Sequence, residues 1–589
     1  MSPFLFFIKS TPENGAMIEM NHAAKIGVWL NRNSADYSWK HGQNLFQLYI
    51  EEILSHAGVP YRNFKDADSL KNYEPDIILI AHHGEKEADI ARLEQWIKDG
   101  ATVIDYGGLN RMASKLGCRE IRCRDAVYAE LDEVSFGDNY PSLRAVRVKP
   151  WIPQEQSSSA IQSYGTLRLG KKGTEIAPAR LTFHIGKGKL IRWNVDIPST
   201  IVWMQQGREP VFQDGIPSLD GTGDIDEGIL KADDGSEMDW EKDRTVTGTG
   251  VPYFHIPYAD LWREVMIQQL IAESDALELT LPLLDYWPDG TEQVAMISHD
   301  SDFNVEEAAH TTLQVLEECG VRSTWCMIEL GYSPSIYKLI QEQGHELAFH
   351  YNALEKEDGI WSQDEFNRQL DVIRRSTGAS IISNKNHYTR FEGWGEFFRW
   401  CEDSGIQADQ TRGPSKKGNV GFPFGTCHPY YPIAWADEHN RIYSVLQIGF
   451  LTQDLEHPSL PDVSVIKPFL EAVAGVRGVA HFLFHQQHIH QLPAVRDAVR
   501  SLVAAARSMG YVFWTCEEIT KWEQSRRSAR LYVETDRSFY AEQLPPGAVM
   551  LTPVSKGERS LEEENRVIRF GVSCHKQVDF SSSLTEQQI

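Results

Sequence analysis

The apolar run "QVAMIS" ends on a charged stretch, and Asp300 and Asp302 stand there one residue apart. Other strand-like segments further along end in the same kind of residue. "ELAFHYN" ends at His350, "IISNKNHY" at His387 and "HFLFHQQHIH" at His485, with His488 and His490 beyond. One carboxylate and two imidazoles suffice for an open site that holds zinc or a similar divalent ion. Such an ion lowers the pKa of a bound water enough to supply hydroxide near neutral pH. A second carboxylate then takes the proton, and a further histidine protonates a leaving amine or alkoxide. Each residue taken alone has a plainer use. Asp-x-Asp at a strand end caps the next helix, and a lone buried histidine is an ordinary core residue. Only their recurrence on successive strand ends favours a site.

The elements that must position these residues lie between 288 and 525, where strand and helix patterns alternate. "QVAMISHD" precedes "VEEAAHTTLQVLEECG", "VRSTWCMI" precedes "SPSIYKLIQEQG", and "HELAFH" precedes "SQDEFNRQLDVIRRSTG". The series continues to "YVFWTCEEI", about seven βα units in all. A closed or distorted (β/α)7 barrel follows from such an order, and its chemistry belongs at the C-terminal ends of the strands.

This half of the chain resembles the polysaccharide deacetylases of the NodB-homology, carbohydrate esterase type, in a divergent branch. "SHDSD" at 298–302 is similar to a D-x-D form of their first motif. "GHELAFHYNAL" at 344–354 is similar to their second, in which a glycine, histidine and glutamate lead into two histidines. "NKNHYTRFEGW" and "GFPFGTCHPY" resemble stretches of the divergent branch, with Lys385 and Pro423 where it carries arginines. "FLFHQQHI" fits the last motif. The resemblance implies a distorted βα barrel that removes acetyl groups from a carbohydrate, using a divalent metal, zinc first, with cobalt or nickel as alternatives. It makes Asp300 the catalytic base, Asp302 and His350 metal ligands, and His485 the general acid. The second histidine of the second motif falls on Leu354, so a third ligand must come from elsewhere, and His387 is the candidate. Lys385, Tyr388, Trp394 and His488 are expected to contact substrate. Two other readings stay open: a carbohydrate-binding scaffold without turnover, and another C–N hydrolase on the same fold. Nucleophilic catalysis has little support. There is no G-x-S-x-G elbow, and the adjacency of Cys427 and His428 does not by itself make a pair.

The rest of the chain reads as accessory. Residues 24–120 alternate strand and helix and resemble a flavodoxin-like or glutamine-amidotransferase-like parallel sheet. The turn after the strand "DIILIAHHG" carries His82 and His83 but no nucleophilic cysteine, so the module is expected to be structural or substrate-gating. Residues 121–287 read as a β-rich module with a solvated acidic loop at 206–250 and a linking helix. Residues 526–589 read as a small β-rich appendix. The fold class is therefore multidomain α/β.

Bulk properties narrow the function. The 589 residues carry a net charge of −25, which opposes nonspecific nucleic-acid binding and attraction to anionic membrane. No apolar stretch is long enough to span a bilayer. The apolar start "FLFF" lacks the basic region of a signal peptide, so a cytoplasmic location and a soluble sugar or sugar conjugate are expected. Eight cysteines without a CxxC pair read as reduced, mostly buried thiols.

Overall fold

The run Gln293–Asp300 forms a strand buried along nearly its whole length, as a near-continuous apolar sequence requires of a central parallel strand. In the computed structural model, which describes residues 22–65, 69, 73–84, 86–131, 140–154, 161–223, 228–554 and 565–578, this strand is the hub of a nine-stranded parallel sheet. The order runs Leu446–Gln447, Ala408–Asp409, Ser383–Asn386, Glu346–Tyr351, Thr324–Met327, Gln293–Asp300, Val479–His485, Thr452–Gln453. The ninth, Tyr511–Phe513, pairs with residues 293–295 on the edge that Thr324–Met327 covers further along. The two terminal strands of this order do not pair with each other. Residues 448–451 cross between them, with Ile448 and Phe450 donating to the Asp409 and Arg412 carbonyls and Leu451 donating to that of His481. The sheet is thus a distorted barrel. It has two more strands than the seven expected, because the two-residue pieces at 408–409 and 452–453 are too short to read from a pattern.

The surrounding helices carry their own start and stop signals. Ser362 caps Gln363–Thr377 by accepting from Glu365 N–H, and Gly378 ends it with φ +63°. Thr515 and Glu518 form a reciprocal capping box on Cys516–Ser528.

The N-terminal part departs from expectation in one respect. The parallel strands Arg62–Phe64, Ile26–Leu30, Ile77–His82 and Thr102–Tyr106 continue through Gly188–Trp193 into the antiparallel strands of the β-rich region. The boundary expected at 120/121 therefore falls inside a single nine-stranded mixed sheet. Thr102–Tyr106 pairs with a strand more than eighty residues away, a long-range partner that local patterning cannot reveal. The C-terminal strands Met550–Pro553, Arg566–Arg569 and Val572–Gln577 form a small sheet that borrows Leu283–Leu284.

The acidic region 206–250 is solvated over only part of its length: residues 212–214, 216, 217 and 219–221 are exposed, but Asp233 and Asp234 are not. The side chains of Asp233 and Asp234 are buried against the barrel segment 415–419. Asp233 accepts from the Ser415 N–H, Ser415 Oγ and Asn419 Nδ2, while Asp234 pairs with Lys416. A local sequence window shows the acids but not the partners about 180 residues away. The apolar segment at the very N-terminus lies outside the described residues. All eight cysteines are free thiols, seven of them buried. No helix among the described residues is long and apolar enough to cross a membrane.

Candidate metal centre

Parallel register brings the strand ends together. Asp300 lies level with His485 on one neighbour and with Cys326 on the other, and His350 lies level with Lys385. Past Asp300 the chain turns sharply, and Asp302 adopts φ +33°. Neither aspartate caps the following helix Glu306–Cys319, whose N-cap is Val305 with no side-chain cap bond. The capping explanation for this acidic pair is thereby removed.

Three atoms converge. Asp302 Oδ1 lies 3.4 Å from His350 Nε2 and 3.5 Å from His387 Nδ1, and the two ring nitrogens are 3.1 Å apart. His350 Nδ1 is 2.9 Å from the Lys385 carbonyl, so it donates its proton there and turns the Nε2 lone pair toward the cluster. Asp302 Oδ1 is buried and has no hydrogen-bond partner. An orphaned anionic oxygen facing two imidazole nitrogens is costly on its own, and it fits a divalent ion with one carboxylate and two imidazole ligands. His387 comes from the short helical turn His387–Thr389 after its strand, where Tyr388 and Thr389 adopt positive φ. Leu354, at the motif position for a second histidine, is buried as an apolar residue.

Asp300 sits beside this triad, its Oδ2 3.7 Å from His350 Nε2. Its Oδ1 accepts from Lys385 Nζ at 3.0 Å. Burial raises the Asp300 carboxyl, but Lys385, His350 and His485 outweigh it and hold the group below its ordinary value. Lys385 is itself fully buried and also donates to Ser298 Oγ at 2.7 Å. It was expected to contact substrate. The structure instead gives it the charge opposite Asp300, with both groups inside the barrel. Ser298 in turn bonds His481 Nε2 at 2.8 Å.

On the far side, His485 Nε2 lies 3.6 Å from Asp302 Oδ2 and 4.0 Å from Asp300 Oδ2. Its Nδ1 is bonded to Asp454 Oδ2, and its backbone N–H donates to Asp454 Oδ1 at 2.7 Å. Burial opposes charge on His485, yet Asp454, Asp302 and Asp300 prevail and push it up to about 10. His488 Nδ1 is 2.9 Å from the same Asp454 Oδ2. Asp454 was not among the expected residues. It follows the two-residue strand Thr452–Gln453, so it repeats the strand-then-aspartate signal of Asp300 on an element too short to notice.

Tyr388 stands at the rim, 40% exposed, with its ring against His387 and with Lys356 Nζ 4.8 Å from its centre. Trp394, expected to stack on a sugar, does not join them. It is buried between Phe46 and Trp435 and donates its ring N–H to the Ile433 carbonyl, where it seals the barrel against the N-terminal part. The Cys427–His428 alternative also fails, because His428 Nε2 bonds the Val476 carbonyl.

No family model matches the chain, and no curated protein does. Among solved structures it is similar to a polysaccharide deacetylase from Mycobacterium smegmatis, at 14% identity over 41% of this chain and 94% of that one, with a TM-score of 0.32. It is also similar to a family 4 acetyl xylan esterase from Clostridium thermocellum in complex with a cobalt ion, at 15% identity over 39% and 91%, TM-score 0.25. A third is the Puue allantoinase, at 10% identity over 40% and 92%, TM-score 0.30. The likeness spans about 40% of the chain and is too distant to bear on activity, which is argued below from the side chains.

Proposed function

We propose that the protein is a metal-dependent hydrolase that removes acetyl groups from a carbohydrate. The observation that carries this reading is the buried, unpartnered Asp302 Oδ1 within 3.5 Å of His350 Nε2 and His387 Nδ1. Those three residues would hold the ion, which when bound supplies a water of lowered pKa and a Lewis acid for a carbonyl. Asp300 faces the same space and takes the proton from the attacking water. Lys385 keeps Asp300 ionised before attack, so the base is ready at neutral pH. His485 approaches from the opposite side and is held protonated by Asp454, as a general acid must be. It delivers its proton to the leaving nitrogen or oxygen of the sugar. Tyr388 offers an exposed ring at the rim for a sugar face.

The test is twofold. Purified protein is expected to carry about one divalent ion per chain by elemental analysis and to release acetate from N- or O-acetylated sugars. Asp302→Asn is expected to lose both. Absence of a stoichiometric ion, or an Asp302→Asn variant as active as the parent, would overturn the reading. Ring opening of small cyclic amides, read as a new carboxylate on the substrate, without acetate release, would move it to another C–N hydrolase.

A further inference from the structure

A cavity of about 500 Å³ opens in the N-terminal mixed sheet rather than in the barrel. It lies outside the C-terminal ends of Ile77–His82 and Thr102–Tyr106. The chain leaves Ile26–Leu30 toward Arg62–Phe64 on one side and returns to Ile77–His82 on the other, so the strand order reverses beside the cavity, between Ile26–Leu30 and Ile77–His82. In open α/β sheets, ligands bind outside the strand ends at such a reversal.

The lining has a definite chemistry. Arg147, Lys149 and Arg208 face the cavity in a chain whose net charge is −25. A local excess of cations in an acidic protein concentrates anions. Arg147 and Arg208 lie against the Trp203 indole, 4.9 and 4.8 Å from its centre. Arg147 is paired with Asp196, and Arg208 with Glu237. Lys149 has no hydrogen-bond or ion-pair partner for its ammonium among the described residues. The lining carboxylate, Asp105, is engaged by the Gly108 N–H at 2.8 Å and by Arg192 behind it.

Several lining groups are buried without partners: His82 Nε2, His83 Nε2, the Tyr106 hydroxyl, Asn110 Oδ1 and Trp203 Nε1. His83 is 8% exposed and Tyr106 1%. Buried polar groups are normally satisfied, so this concentration marks a place where partners arrive from outside. Asn110 Oδ1 can only accept. The ligand must therefore carry donors as well as charge.

We propose that this cavity binds a small hydroxylated anion, a sugar bearing a carboxylate or a phosphate. Its charge goes to Lys149 and Arg147, and its hydroxyls go to His82, His83, Tyr106 and Asn110. The volume is within the usual range of small-molecule sites, about 300–1,000 Å³. The site is separate from the barrel centre and does not depend on the activity proposed for it.

Calorimetric titration of the full chain with glucuronate, glucose 6-phosphate and glucose tests the proposal. One of the two anions is expected to bind one-to-one and at least tenfold tighter than glucose, and which one does so identifies the charged group. Lys149→Ala is expected to weaken that binding at least tenfold and Tyr106→Phe at least threefold. Asp302→Asn, altered only in the barrel, should leave it unchanged. Anions that bind no tighter than glucose would overturn the proposal. So would full-affinity binding by a Lys149→Ala variant with an unaltered melting temperature, or loss of binding in Asp302→Asn.

Discussion

The residues of the barrel centre divide by what their neighbours do to them. His387 completes the ligand set that Leu354 leaves short, so its loss should cost the ion rather than the fold. His387→Ala is expected to retain less than about a tenth of the parent's metal content, as removal of one of three protein ligands implies. Elemental analysis with a parallel melting curve checks this. His485 depends on Asp454 for its proton. Asp454→Asn removes the charge that most raises the histidine, so His485 deprotonates at lower pH and ceases to be an acid there. The alkaline limb of kcat/KM is expected to move down by about one unit or more, with a loss of about 100-fold in rate. A pH–rate profile that keeps its alkaline limb in place would show that Asp454 does not hold that proton. Both residues were open to a reader of the sequence in unequal degree. His387 ends a visible strand, whereas Asp454 follows a strand of two residues.

At the scale of elements, the strand ends converge because the strands are parallel and in register, and their supports can be tested. Glu346 starts the His350 strand and is buried, accepting from Thr324 Oγ1, Ser383 Oγ and Glu517 N–H. Burial pushes its carboxyl up to about 7 despite those donors. The folded chain therefore keeps this proton to higher pH than the unfolded chain does. Its contribution to stability is full below about pH 4.3 and is lost as pH rises through about 7. The stability difference between the parent and Glu346→Gln, from urea unfolding, should fall across that window by up to about 4 kcal/mol. A difference that is flat with pH would remove Glu346 from the account. The acidic region offers a second case. Asp233 accepts three bonds from the 415–419 segment, so Asp233→Ala strands buried donors and should destabilise by about 3 kcal/mol. Faster hydrogen exchange at residues 415–419 would accompany it.

The whole molecule does not divide where the sequence pattern does. Trp394, Ile433 and Ala436 of the barrel region belong to the same apolar core as the strands of the N-terminal sheet. Val211, Ala232 and Tyr253 belong to the barrel's core. A buried ion pair and a buried hydrogen bond cross the same surface: Glu52 meets Arg527 at 2.9 Å, and Arg526 donates to the His56 carbonyl at 2.6 Å. Cutting the chain at 288 and 525 would expose Trp394 and leave Asp260's partners at Thr426 and Cys427 unpaired. The fragment 288–525 is expected to show no cooperative melting, whereas the full chain unfolds with the N-terminal sheet and barrel together. A fragment with a sharp calorimetric transition would refute this.

What the sequence determined by itself was local. Apolar runs bounded by Asp or His set the strands and their ends, and Asp300, Asp302, His350, His387 and His485 could be named from position alone. Whether those ends meet depends on register, a property of strand pairs, and so does the place of His387 beside His350. The tertiary structure also decided which charges are neutralised. Lys385 left the substrate list because its ammonium is buried on Asp300, and Trp394 left it because its ring is packed into an interface. Burial and partners between residues far apart in the chain govern such outcomes. A window of ten or fifteen residues holds no information about either.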